Sequence, residues 1–230
     1  MDEIRLNQWS LEKKEEESKG IIREAIKKFG SNKIAIAWSG GKDSTTVLHL
    51  IKQEFKKVII PVVFIDTSVK FKEIYSFRDK IAKEWDLNLI IVRNEEALKT
   101  IKIAQNKEEC CYLLKTVPLR EAITSHGWQA LITAVRWDEQ EARKNETYFS
   151  RRENPPHTRI HPILHFRELD IWAYIRKYNI PYCELYHKGY RSLGCEPCTK
   201  LPKVSTASER EGREKEKEKI MKRLRALGYF

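Results

Sequence analysis

Residues 33–38 (KIAIAW) run without a break into Ser39-Gly40-Gly41-Lys42-Asp43-Ser44, and residues 45–55 then carry Val47, Leu48, Leu50 and Ile51 along one side. That order is a strand, a glycine turn and a helix. The same alternation continues, with strands predicted at residues 58–65 (VIIPVVFI), 87–92 (LNLIIV) and 128–135 (WQALITAV) and helices at 71–85 and 108–126, the last interrupted at Pro118. Strands separated by helices pair in parallel, because only a crossover can return the chain in the same direction. The expected fold is α/β, a doubly wound and mainly parallel sheet with helices on both faces, in a single domain. An amphipathic helix over residues 11–29 precedes the sheet, and its apolar face is expected to close the domain or to meet a second copy. Residues 137–157 are charged and polar and end in Pro155-Pro156, which reads as an excursion over the sheet's rim. A last short strand is expected at 160–164 and a helix at 169–178, stopped before Pro181.

A glycine turn feeding a helix N-terminus presents backbone N–H groups to an anion at the carboxyl end of a strand. Gly40 and Gly41 allow close approach, Lys42 adds a cation, Ser39 and Ser44 add hydroxyls, and Asp43 caps the helix or helps to hold a metal. The spacing is not the G-x-x-x-x-G-K-[ST] of common NTPases, so kinase or GTPase chemistry is not implied. The whole chain has 230 residues, with 44 Lys and Arg against 33 Asp and Glu for a formal net charge of +11. This excess fits either a polyanionic partner or a surface rich in ion pairs. No apolar run approaches the ~20 residues a bilayer requires, and MDEIRLNQWS carries no apolar signal core. A cytoplasmic protein without membrane association is expected.

Five cysteines, an odd number with two adjacent, make a poor disulfide framework and point to metal or redox chemistry. Cys110-Cys111 and Cys195-Glu196-Pro197-Cys198 supply four thiols in two tight pairs. A C-x-x-C is a half-site for zinc or for an iron–sulfur cluster. Vicinal thiols diverge from one helical turn, which suits neighbouring irons better than two corners of one tetrahedron. Lys115, one turn beyond Cys111, lies on the same helical face. Cys183 stands alone beside aromatic residues, where a thiol is usually a small buried hydrophobe.

SGGKDS resembles the pyrophosphate-binding loop of the adenine nucleotide α-hydrolase superfamily. Within it the chain is most similar to the adenylyl-sulfate (APS) and phosphoadenylyl-sulfate (PAPS) reductases and to the small subunit of bacterial ATP sulfurylase. The resemblance implies that Ser39, Gly40, Gly41, Lys42, Asp43 and Ser44 hold the phosphosulfate, and that Asp66 and Thr67 meet the nucleoside. It also makes residues 136–143, with Arg136 and Arg143, an arginine loop, and puts His161 beside the nucleotide. Arg151, Arg152 and Arg159 become candidates for the sulfate or a 3′-phosphate. Cys110, Cys111, Cys195 and Cys198 match the segments that bind a [4Fe–4S] cluster in adenylyl-sulfate reductases, and Lys115 is placed to reach between cluster and anion. The implied parse is an N-terminal helix (1–30), a nucleotide-binding α/β domain with the cluster segments (31–202) and a charged C-terminal tail (203–230).

The resemblance breaks in that tail. Family reductases attack the substrate's sulfur with a cysteine in a C-terminal Glu-Cys-Gly segment, and a thioredoxin-like thiol then releases sulfite. Ser208-Glu209-Arg210-Glu211-Gly212-Arg213 matches the approach to that cysteine, but no cysteine follows. The nucleophile is therefore unassigned, with Cys183 and Lys115 as candidates beside an external thiol. The intact Lys42-Asp43 pair keeps ATP open as substrate, with Mg2+ as its companion, in a sulfurylase or a sulfurtransferase acting on nucleic acid. Nine basic and five acidic residues between 203 and 225 would then guide RNA or DNA, or else form a solvated helix packed through Ile220, Leu224 and Leu227.

Overall fold

The structure is a computed structural model that describes residues 8–202, 208–213, 215–226 and 228; Leu227 lies outside them. Its centre is β1 (Ile34–Ala37), flanked on one side by β2 (Val62–Ile65) and then β3 (Leu89–Val92), and on the other by β4 (Ala130–Ile132). Beyond β4 come β6 (Pro156–Ile160) and, at the far edge, β5 (Phe149–Glu153). All pairings are parallel except β5 with β6. The expected doubly wound sheet is what forms, with β1 and β4 meeting where the strand order reverses. A crevice opens there at the carboxyl ends of the strands, because the chain leaves to opposite sides.

Alternation along the strands builds two apolar layers. Ile34, Ile36, Phe64, Ile132 and Ile160 face one side, where α1 (Leu11–Phe29), α2 (Lys42–Phe55), α3 (Lys72–Glu84) and α7 (Glu168–Lys177) cover them. Ala35, Val63 and Leu131 face the other, under Leu119, Ala122 and Ile123 of α6 (Val117–Ser125). Helix α1 starts at Ser10, whose Oγ accepts the Lys13 N–H at 3.3 Å, and buries Ile21, Ile22 and Ala25. Its apolar face closes this domain.

Three expectations are corrected. The segment 137–157 is not a simple excursion: its end is β5, and the last strand is β6, ending at Ile160 where the expected strand began. β5 escapes an apolar-run search because it is an edge strand carrying Arg151, Arg152 and Glu153, a composition that blunts edge-to-edge pairing. The helix at 108–126 is interrupted ahead of Pro118, but in three pieces, α5 (Lys107–Cys111), a π turn (Tyr112–Thr116) and α6. Pro118 has no N–H to return to residue 114, and the widened turn places it in the first turn of a new helix instead. A short helix α4 (Glu95–Thr100) follows β3 and was not expected.

The charged tail packs on the body through Leu224 and Ile220, as expected. After α8 (Lys215–Lys219), Met221 and Leu224 of α9 (Met221–Ala226) are buried against Cys111, with Ile220 partly packed beside them. Upstream, Lys200 N–H donates to Gly212 O at 2.7 Å. A Cβ at Gly212 would stand 2.1 Å from Lys200 O, so only glycine permits this approach. Two tail cations are paired within the chain, Arg225 with Glu146 and Arg223 with Glu108.

Candidate functional site

The anion loop joins β1 to α2 at the crevice. Gly40 has φ +78°, a region that favours glycine, and a Cβ there would press on Ile74 at 3.1 Å. Ser39 and Ser44 lock the turn: their hydroxyls are 3.1 Å apart, Ser44 Oγ accepts Ser39 N–H, and Ser39 Oγ accepts Gly41 N–H. Gly41 caps α2 without a side chain, leaving the first helical N–H groups to other acceptors. Lys42 N–H donates to the Tyr186 hydroxyl at 2.9 Å.

In front of this loop lies an open cleft of about 1200 Å3, counted with its mouth. Ser39, Gly41, Asp43 and Ser44 form one wall, and Thr133, Ala134 and Val135, just beyond β4, form another. Six basic side chains line it, Lys70, Lys115, Arg143, Arg159, Arg210 and Arg213, against two acids, Asp43 and Glu139. Arg143 and Arg210 both pair with Glu139, and Arg210 also with Glu218. Arg213 donates to Leu193 O at 2.7 Å. Arg159 is buried, donates to His157 Nε2 at 2.9 Å and to Gly228 O at 3.2 Å, and is in no ion pair among the described residues.

Beneath the loop lies a second set of charges, of which Asp43 reaches the cleft while Lys42 and Arg136 are buried. Lys42 Nζ donates to Glu209, to Arg191 O at 3.0 Å and to Asp43 at 3.3 Å. Arg136 binds Asp43, Asp138 and Glu209. Burial works against the Asp43 carboxylate, yet Arg136 and Lys42 hold it below its ordinary range. For Lys42, burial is outweighed by Asp43 and its neighbours, so the ammonium is held above the usual lysine range. Glu209 is pushed up, by burial first and then by Asp43.

The other expected residues divide. Asp66 lies just past Ile65 of the cleft wall, but its Oδ1 is taken by Ser68 N–H at 2.7 Å and by the Tyr75 hydroxyl at 2.8 Å. Thr67 faces the cysteines instead, with Oγ1 3.3 Å from Cys195 Sγ. His161 is fully buried and reaches the cleft only through Thr133, whose Oγ1 is 2.6 Å from Nδ1. Arg151 and Arg152 are not brought to the cleft. β5 runs antiparallel to β6, so residues further along it recede from the carboxyl ends; Arg151 is exposed there and Arg152 pairs with Glu146. Cys183 sits fully buried in the main core, with its thiol pushed up by burial, and lines neither cleft nor cysteine cavity. Tyr186 carries no signal in the sequence, and Glu209, Arg210 and Arg213 enter it only as the approach to a cysteine that is absent. The segment at 208–213 drew attention for the thiol it lacks, when its two arginines and Glu209 were the signal.

Cys110, Cys111, Cys195 and Cys198 line one narrow pocket, together with Thr67, Leu114 and Pro197. The later segment is fixed to the loop after β2 by Glu196 N–H to Val69 O at 2.8 Å, and the earlier one starts its own helix with Cys110 N–H to Asn106 O at 2.9 Å. Lys115, carried on the π turn, belongs to the wall of both cleft and cavity. Among the described residues no three Cys, His, Asp or Glu side chains are drawn together around a single metal ion. No described helix is long and apolar enough to cross a membrane.

Known proteins match this arrangement. An adenosine 5′-phosphosulfate reductase of Bacillus cereus (strain 03BB102) is 32% identical, the match covering 86% of this chain and 87% of the relative. Sulfate adenylyltransferase subunit 2 of Zymomonas mobilis is 29% identical over the full length of both chains. The crystal structure of a phosphoadenylyl-sulfate reductase from Candida auris, a phosphate complex, superposes with a TM-score of 0.68 at 22% identity, covering 83% of this chain and 97% of that one. The family described as phosphoadenosine phosphosulfate reductase domain matches residues 33–201. With that span taking in the anion loop, the arginine loop and all four cavity cysteines, the chain belongs to the phosphoadenosine phosphosulfate reductase domain family.

Proposed function

We propose that this chain is an enzyme of sulfur assimilation that reduces an adenylyl sulfate, APS or PAPS, to sulfite with electrons from an external thiol. The observation that carries the reading is Lys115, which stands in the common wall of a basic cleft and a four-thiol cavity. The anion loop and the cleft's cations bind the phosphosulfate, and Thr133, Ala134 and Val135 flank the nucleoside. The nucleophile comes from outside, since the tail offers no cysteine and Cys183 is sealed in the core. A donor thiolate bonds to the sulfonate sulfur as the S–O bond to phosphate breaks, and AMP or its 3′-phosphorylated form leaves with that electron pair. A second donor thiol attacks the resulting thiosulfonate, expelling sulfite and leaving a disulfide, so two thiol electrons reduce the sulfur.

Four thiols lining one pocket fit the thiolate donor set of a [4Fe–4S] cluster, which Cys110, Cys111, Cys195 and Cys198 would hold. When bound, such a group biases the local field at the cleft and ties the segment around Cys195 to that around Cys111. Mg2+ finds no such fit at Asp43, whose carboxylate is committed to Arg136 and Lys42.

Similarity to a sulfate adenylyltransferase subunit over the whole chain, with Lys42 and Asp43 intact, supports a second reading in which ATP is the substrate and pyrophosphate the product. The anaerobically purified protein, offered APS, PAPS and ATP separately with a dithiol, separates the two. Sulfite without pyrophosphate is expected. Pyrophosphate release that depends on sulfate or on nucleic acid, with no sulfite from either adenylyl sulfate, would overturn the reductase reading.

A further inference from the structure

We propose that Glu209 sets the nucleotide specificity of the cleft by occupying the anion loop's two buried cations, so that the site takes a single nucleotide phosphate bearing a sulfonate and refuses the β- and γ-phosphates of ATP. The proposal deepens the adenylyl-sulfate reading and rests on it. Lys42 and Arg136 are 1% and 0% exposed, and one carboxylate serves both: Glu209 Oε1 takes Lys42 Nζ and Oε2 takes Arg136 Nη2. Asp43 takes the other side of each. With Asp138 also on Arg136 and Glu168 4.0 Å from Lys42, both cations are surrounded by carboxylates at the first turn of α2, behind the glycine turn.

A phosphate chain extending past the loop needs cationic donors at that turn. Here it meets a carboxylate already bonded to them. Glu209 is not a surface group that swings away at no cost. Its segment is fastened by Arg210 to Glu139 at 2.7 Å, by Arg213 to Leu193 O at 2.7 Å and by Lys200 N–H to Gly212 O at 2.7 Å. Freeing Lys42 and Arg136 for a phosphate therefore means stripping residues 208–213 off the cleft. A sulfonate on the first phosphate makes no such demand, because Lys115, Arg143 and Arg159 already face the open cleft.

Removing the carboxylate vacates one acceptor position on each of Lys42 and Arg136, which keep Asp43, Asp138 and Glu168 on their other sides, and a β-phosphate is the anion placed to fill it. The test is calorimetric binding of AMP and ATP to the full chain, without divalent metal, for the wild type, Glu209→Gln and Glu209→Ala. Wild type is expected to bind ATP no more tightly than AMP. In both variants the preference is expected to shift toward ATP by about tenfold or more, roughly 1.4 kcal/mol. Wild type that binds ATP the more tightly overturns the proposal and needs no variant to fold. So does an unshifted ratio in variants whose circular dichroism and melting match wild type. Sulfite production from APS with an unshifted ratio sinks the role of Glu209 alone; absence of any AMP, APS or ATP binding sinks the nucleotide reading with it.

Discussion

Arg136 and Glu209 lie seventy-three residues apart in the chain and meet as a buried ion pair, the guanidinium fully enclosed and the carboxylate nearly so. The pair fastens the C-terminal segment to the loop after β4, and Asp43 ties both to the anion loop. Each of these three elements is held by a charge carried on another.

Arg136→Met should therefore destabilise the protein by about 3–5 kcal/mol, since it leaves Asp43 and Glu209 buried with Lys42 as the one cation they still share. Arg136→Lys should recover only part of the loss, because one ammonium cannot face Asp43, Asp138 and Glu209 as a planar guanidinium does. Urea unfolding checks this; a loss under about 1 kcal/mol for the Met variant would contradict it.

Acid should weaken the fold before the carboxylates titrate. Burial pulls His157, His161 and His165 down to about 4 from an ordinary value of 6.5. Below pH 6.5 the unfolded chain binds protons that the folded chain refuses, so the stability each contributes is complete above pH 6.5 and is lost as pH falls toward 4. The loss is on the order of 3 kcal/mol per histidine. Unfolding midpoints at pH 7, 6, 5 and 4 should fall steadily, and His161→Asn should flatten the slope. An unchanged slope in that variant would show that His161 is protonated in the native state.

Lys115→Ala should weaken APS binding by about tenfold while leaving AMP within about twofold, because the lost charge faces the anion beyond the first phosphate and not the nucleoside. Competition binding measures the ratio, and equal losses for both ligands would place Lys115 elsewhere.

Anaerobic reconstitution with iron and sulfide should load the wild-type chain. Cys195→Ser and Cys198→Ser should each lose most of the bound iron, while Cys183→Ser, a change in the core rather than the cavity, should keep it. Iron and acid-labile sulfide content per chain provide the measurement. Zinc retained in place of iron would reject the cluster assignment.

Gly212→Ala should loosen the tail by on the order of 1–3 kcal/mol, since its methyl cannot share space with Lys200 O. Hydrogen exchange should quicken across α9 without quickening in β1. Uniform protection would mean that the tail's docking does not depend on that contact.

Much was legible locally. The strands around β1 are continuous apolar runs because both sheet faces are covered, and α1, α2 and α3 show a 3.6-residue stripe because only one side is. SGGKDS could be read as an anion turn because its chemistry lies in six consecutive residues. β5 was missed because an edge strand needs few apolar residues, and Arg151 and Arg152 were misplaced because register and direction are not written in a charged dipeptide.

The sequence by itself determined the alternating α/β order, the place of the anion loop, and which four thiols are available to a shared centre; each is a matter of short-range period and spacing. Only the tertiary structure decided that the tail folds back as part of the site, that Lys115 stands between two cavities, and that Lys42 and Arg136 answer to Glu209 and not to the open cleft. A charged side chain reads the same in a sequence whether water or a buried partner compensates it, and that choice is made by long-range packing.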